Sequence, residues 1–333
     1  MSVGYVSMAL PDLKSIAKNA MKDTYSLEQL PWHKGVDLEL HHFPEVLTPL
    51  FHCHSYRQIL DEEDRLIYNQ LFAQYVCEQF IFLEDRFLCR VVEQLIPWAS
   101  QMSWDLKVCL EIFLDEEVKH TEMFRRLARA SAPERYAKSD FYFLRIRAHE
   151  DALIRLMASY PRTLHFWIFV ALLFEEKTID YFTHYRVQQR NASNPPLDAL
   201  HTQVHRFHMM DEARHVQIDE HLLTFIFNKA SPALKFVNIQ LLKLMMTNYT
   251  NPKRANIKII EELCKIQPRL RTHQERMFEE IRNQNGTSPY QLAQFSRKNF
   301  PKTFSYFDKD IRLSRAMRSV IMTYSPDDLA KSA

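Results

Sequence analysis

The chain has 333 residues and a formal net charge of +2, with 43 Lys+Arg almost balanced by 41 Asp+Glu, so composition gives no basic face for a nucleic-acid backbone. It holds only three glycines, Gly4, Gly35 and Gly286, where average usage is about 7%. A backbone that closes on phosphate needs clustered glycines, so P-loop and dinucleotide-binding folds are excluded.

Strand alternation is absent and helical periodicity prevails. The stretch to about residue 55, with Pro31, Pro44 and Pro49, reads as a strap around a helical body. The first helical pattern runs from near Asp61 to a stop at Pro97, and the second from about Trp104 to Ala130. A third covers about Ser139 to Ser159, and a fourth runs from Pro161 to about Arg190. Asn191–Pro196 reads as a loop, a fifth helix as Leu197 to Lys229, and Ser231-Pro232 as the start of a sixth. Beyond Thr250, Asn251-Pro252, Asn285-Gly286 and Phe300-Pro301 punctuate shorter helices. The expected fold is all-α, one domain over 1–333 with its core at about 60–230. The first residues lack the continuous apolar run of a signal peptide, and no apolar stretch is long enough to span a membrane. Cys53, Cys77, Cys89, Cys109 and Cys264 form no C-x-x-C pair, which fits reduced thiols in a cytoplasmic protein.

Two helices carry Glu-x-x-His. The second has Glu117-Val-Lys-His120 and the fifth has Glu212-Ala-Arg-His215, each after an acidic residue, Glu116 and Asp211. The i, i+3 spacing puts carboxylate and imidazole on one helical face, able to grip one metal ion. Each copy follows a helix with a glutamate among apolar residues: Glu84 lies 33 positions before Glu117, and Glu176 lies 36 before Glu212. One Glu from each of two helices and Glu-x-x-His from each of two others is the arrangement of di-iron carboxylate bundles. Buried carboxylates cost several kcal/mol unless a cation compensates them, and carboxylate with imidazole suits iron or manganese. Ordinary surface salt bridges would leave the duplicated spacing unexplained. His208, four before Glu212 and seven before His215, lies on the same stripe and is expected as a seventh ligand on the iron that His215 binds. His205 and His201 continue the stripe and are expected to face solvent or lie behind the ligands. Phe80, Phe87, Phe113 and Phe124 sit one turn from these groups, as core or as cavity lining.

These residues resemble the p-aminobenzoate (arylamine) N-oxygenase family of ferritin-like di-iron enzymes. The family pattern of Glu, Glu-x-x-His, a lone Glu and His-x-x-x-Glu-x-x-His is matched by Glu84, Glu117/His120, Glu176 and His208/Glu212/His215. The likeness covers about residues 75 to 225 and selects Glu176 over Glu175 by its Glu-x-x-Ile alignment, leaving Glu175 as a surface ion-pair partner. It implies a ferritin-like four-helix bundle core with additional N- and C-terminal helices. It also implies two iron ions cycling between Fe2+ and Fe3+, O2 as cosubstrate, an external electron donor, and N-oxygenation of a small amine, free or carrier-bound, in secondary metabolism. Glu117 and Glu212 are the expected bridging carboxylates, Glu84 and Glu176 terminal, and His208 tunes the reactivity. By the same analogy Asp211 supports His120, and Glu116, where the family usually has Asp, supports His215. A redox partner and a homodimer are the expected associations. Carbon hydroxylation or desaturation, and ferroxidase or iron storage, are the competing activities.

Overall fold

A computed structural model describes residues 10–249, 253–284, 289–321 and 323–324. In chain order the α-helices are α1 (Leu13–Lys22), α2 (His54–Gln58), α3 (Glu62–Leu83), α4 (Cys89–Met102), α5 (Trp104–Ser131), α6 (Ala148–Ser159), α7 (Trp167–Arg190) and α8 (Ala199–Leu222). They continue as α9 (Pro232–Tyr249), α10 (Lys253–Ile266), α11 (Gln274–Asn283), α12 (Pro289–Gln294), α13 (Pro301–Lys309) and α14 (Ile311–Arg318). No strand occurs among the described residues; one isolated bridge joins His41 to Leu197.

The long helices begin where side chains satisfy free backbone amides. Asp61 and Asp64 form a capping box on α3, and Ser103 caps α5. The Asp198 carboxylate accepts the His201 amide at the start of α8. Between α3 and α4, Glu84–Leu88 winds as a π-turn in which the Cys89 amide bonds the Glu84 carbonyl. A second π-turn, Leu223–Phe227, follows α8. The bundle core pairs α3–α4 with α5 and α7 with α8, and α5 packs against α8 between the pairs. Of these, α3, α5, α7 and α8 are buried on several sides, as expected of helices in the centre of a body rather than on its surface.

The flanking segments do wrap this core. The 30s–40s strap is pinned to the α7–α8 connection by the amides of Asp37, on the Asp198 carboxylate, and His41, on the Pro196 carbonyl. At the other end α10 lies on α3, and α13 on α7. Two helix boundaries differ from expectation. Pro97 does not stop its helix, which runs on to Met102 because Val92, Leu95 and Ala99 are buried against α5. Residues 139–147 are not helical. The amides of Tyr142, Phe143 and Leu144 instead converge on the buried Glu78 carboxylate, which also accepts the Tyr136 hydroxyl. The Phe300-Pro301 break starts α13 as expected, while Asn251-Pro252 and Asn285-Gly286 lie outside the described residues. No helix among the described residues is long and apolar enough to cross a membrane.

Candidate metal centre

Six of the seven expected groups meet inside the bundle. Glu84 is delivered by the π-turn, Glu117 and His120 by α5, and His208, Glu212 and His215 by α8. Potential ligand atoms of Glu84, His120, His208 and Glu212 lie within 4.8 Å of one another, as do those of Glu117, Glu212 and His215. Glu212 belongs to both sets. Its Oε1 is 2.6 Å from His208 Nε2 and 3.5 Å from His120 Nδ1, and its Oε2 is 3.2 Å from His215 Nδ1. Glu117 Oε1 stands between the two, 3.1 Å from His215 Nδ1 and 3.9 Å from His120 Nδ1. His208 falls in with Glu84, at 3.1 Å, rather than beside His215. Four residues separate His208 from Glu212 and seven from His215, and the extra turn carries its ring to the far end of the cluster.

Glu176 is not in this cluster. Its carboxylate accepts the amides of Lys302 and Thr303 and the Thr303 hydroxyl, at 2.8, 2.9 and 2.7 Å, and so caps α13. The neighbouring Glu175 turns inward instead, about 100° around the helix. It is 1% exposed, neither oxygen has a hydrogen-bond partner, and it feels the charges of Asp219, Glu212, His215 and Glu117. The expectation of a surface ion-pair partner is therefore wrong for Glu175. Asp219, one turn beyond His215, is equally buried, and its carboxyl meets that of Glu175, which offsets part of the upward push of burial. It continues the stripe of His208, Glu212 and His215, a signal present in the sequence but not read there.

The outer nitrogens of the histidines are held as expected. His120 Nε2 is 2.9 Å from Asp211 Oδ2, and His215 Nε2 is 2.9 Å from Glu116 Oε2, leaving each Nδ1 to face the cluster. Asp115 is exposed and takes no part. Arg214, which sequence spacing did not single out, donates through one Nη2 to both Glu116 and Asp211, and Lys119 Nζ lies 2.8 Å from Asp211 Oδ2. His201 and His205 are buried rather than solvent-facing: His201 bonds Asp198 at 2.9 Å, and His205 stacks on Tyr185. Phe80 and Phe124 stack on each other and present edges to His208, while Phe113 stacks on His215 at 3.8 Å between centroids. Phe87 packs beside Phe166. All four phenylalanines are buried.

These residues fit a pair of cations. Both oxygens of Glu84, Glu117 and Glu175, the Nδ1 of His120 and both nitrogens of His208 are buried without a hydrogen-bond partner, although several lie about 3 Å from one another. Atoms that crowd together without bonding are those that face a common centre. Four glutamates bring four negative charges, which two divalent ions would neutralise. Electrostatics show the same demand. Burial pushes Glu117 up to about 7, with the Glu212 charge adding to it. Burial alone would lower His208, but Glu212 and Glu84 outweigh it and lift it to about 10. Burial likewise opposes ionisation of Glu212, yet His208 and His215 pull it well below its usual range.

A family model described as p-aminobenzoate N-oxygenase AurF matches residues 12–291. The chain belongs to this family. It is a non-haem di-iron, O2-dependent oxygenase of the amine N-oxygenating kind. Among solved structures, the oxygenase is similar to two variants of an R2-like ligand-binding oxidase with an anaerobically reconstituted Mn/Fe cofactor. Each is 14% identical, with 97% of this chain and 96% of that chain covered and a TM-score of 0.39. A likeness that loose carries no residue roles. No curated protein sequence matches the chain.

Proposed function

We propose that Glu84, Glu117, His120, Glu175, His208, Glu212 and His215 hold the two iron ions, and that the centre inserts one oxygen atom of O2 into the nitrogen of a small-molecule amine. The observation that carries six of these assignments is the convergence of buried carboxylates and imidazoles on two sets of atoms that share Glu212; Glu175, outside both sets, is added because it is buried under the charges of Glu212, His215 and Glu117. In this reading Glu84, His120 and His208 would hold one ion, Glu175 and His215 would hold the other, and Glu117 and Glu212 would be available to either. Bound here in the ferrous state, the iron pair supplies open positions and electrons for the activation of O2.

The chain's own residues perform the rest. Asp211 and Glu116 hold the Nε2 protons of His120 and His215, which fixes the tautomer that presents Nδ1 inward. Phe80, Phe124 and Phe113 line the imidazoles with apolar surface and keep water from them. The first turnover then balances as amine plus O2, two electrons and two protons, giving hydroxylamine and water; further rounds lead to nitroso and nitro products. The five free thiols fit a reducing, cytoplasmic setting, and a continuous buried core reaching from Ile16 to Tyr324 fits a single domain.

The test supplies the iron-loaded protein with a reductant, 18O2 and two panels, one of aromatic and aliphatic amines and one of acyl chains. Label on nitrogen in products of the amine panel supports the reading. Label only on carbon of the acyl panel, or none on nitrogen, sinks it.

A further inference from the structure

The two halves of the centre are unequal. Ligand atoms of four residues, Glu84, His120, His208 and Glu212, converge in one set, and of only three, Glu117, Glu212 and His215, in the other. His208 makes the difference, one turn before Glu212 on α8. Asp219 is its counterpart at the other end, one turn after His215. At about 100° per residue, His208, Glu212, His215 and Asp219 share a sector of about 60°, and Asp219 lies inside its edges. At about 1.5 Å per residue, His208 precedes Glu212 by about 6 Å along the axis, and Asp219 follows His215 by the same distance. Because side chains on a helix lean toward its N-terminus, Asp219 leans back toward His215 and Glu212.

Nothing around Asp219 compensates a charge. It is 0% exposed, and the carboxyl it meets, that of Glu175 on α7, is 1% exposed. Among the described residues neither has an amide, hydroxyl, lysine or arginine as partner. The other charges that reach Asp219 are those of His215, Glu212 and Glu117, the members of the smaller set. Two acids buried face to face are costly unless a cation or a proton lies between them.

Charge favours the cation. Glu84, Glu117, Glu175 and Glu212 together cancel two ferrous ions but leave two ferric ions with a double positive excess. A fifth carboxylate divides that imbalance. The ferrous pair is left with one negative charge and the ferric pair with one positive charge, so neither state holds a double charge in a buried core. Asp211 and Glu116 stand apart from this balance, because Lys119 and Arg214 already face them. We propose that Asp219 is a further ligand of the second ion, and that it would complete, with Glu175 and His215, a set of three to match Glu84, His120 and His208 on the first. One imidazole and two carboxylates make the harder and more negative set, which favours the ferric state of that ion over that of its neighbour. The inference rests on the metal-centre reading above.

The test titrates ferrous iron, without oxygen, into metal-free wild type, Asp219→Asn and Asp219→Leu, with stoichiometry and affinity read by calorimetry. Asn keeps an amide that can donate to Glu175, whereas Leu keeps nothing. A ligand is lost in both, so each variant should hold one ion as wild type does and the other about a hundredfold more weakly. With iron in excess to fill both positions, the reduction equilibrium of one ion in Asp219→Asn should shift toward ferrous by at least about tenfold, a rise in potential of about 59 mV. An Asp219 that only shares a proton with Glu175 carries no charge to lose. Asn would then leave the affinity within about threefold of wild type and the potential unmoved, and that outcome overturns the proposal. A loss of metal confined to Asp219→Leu overturns it as well. Wild type that binds no pair of irons overturns the metal-centre reading together with the proposal, whereas two tight irons in both wild type and Asp219→Asn overturn the proposal alone.

Discussion

Glu175 and Glu176 are adjacent, both buried, and assigned opposite tasks, so exchanging each for Gln separates metal binding from stability. Glu175 has no hydrogen-bond partner and faces the charge of the cluster. Two unit charges about 4 Å apart at an effective dielectric of about 20 interact by ~4 kcal/mol. The carbonyl oxygen that Gln retains recovers part of this, leaving a loss of about 3 kcal/mol, or roughly two orders of magnitude in affinity for one ion. Glu175→Gln should therefore retain about one tight metal per chain, and the metal-free protein should be no less stable because a buried, unpaired carboxylate has gone. In Glu176→Gln the amide cannot accept from Lys302 and Thr303 on both of its arms. At least one amide loses its partner, costing about 1–3 kcal/mol and lowering Tm by about 1–2 °C per kcal/mol in a chain of this length. Metal content should stay at two. The assay is metal analysis of both variants with calorimetric melting of the metal-free forms. If Glu176→Gln loses a metal while Glu175→Gln keeps both, the reasoning fails.

Metal binding should release protons. Without a cation, burial and Glu212 keep Glu117 protonated up to about 7, and Glu212 with Glu84 hold His208 protonated up to about 10 against the effect of burial. These protons compete with metal at low pH and leave as pH rises, so apparent affinity should climb up to about pH 10, more steeply below about pH 7 where Glu117 is protonated as well; a flat titration refutes this. Glu116→Ala should cost about 10–100-fold in metal affinity by freeing His215, and Glu116→Asp, one methylene short, should fall between; equal affinity in all three would refute the support role. Glu78→Gln should lower Tm, because three amides and the Tyr136 hydroxyl depend on its carboxylate, while metal content stays at two. A normal Tm there would show that residues 139–147 are held by something else.

Most of the centre could be read from the chain because its grammar is local. Glu-x-x-His on a helix fixes which two side chains share a face, and its duplication with a preceding glutamate fixes the bundle. The support of His120 by Asp211 and of His215 by Glu116 follows from the same local geometry on facing helices. Errors arose where a distant segment decides. Glu175 and Glu176 are equivalent in periodicity, and the choice depends on α13, more than 120 residues away, offering its amides to Glu176. Glu78 similarly takes up the amides that would have begun a helix at Ser139. The burial of Val92, Leu95 and Ala99 overrides Pro97 as a stop. Asp219 was the exception: its stripe was visible locally, but nothing in the Glu-x-x-His motif demanded it.

The π-turn at Glu84 acts as a frame shift written into the backbone. Closing a bond from the Cys89 amide to the Glu84 carbonyl, five residues back rather than four, accommodates one residue more than an α-helical turn. Every position after it is rotated by about 100° relative to an uninterrupted helix. Only with that offset do Val91, Val92, Leu95 and Ala99 turn inward toward α5 on the same rod that turns Glu84 toward His208 and Glu212. Deleting a single residue from this turn would not simply shorten a helix. It would force the rod to choose between its carboxylate and its core.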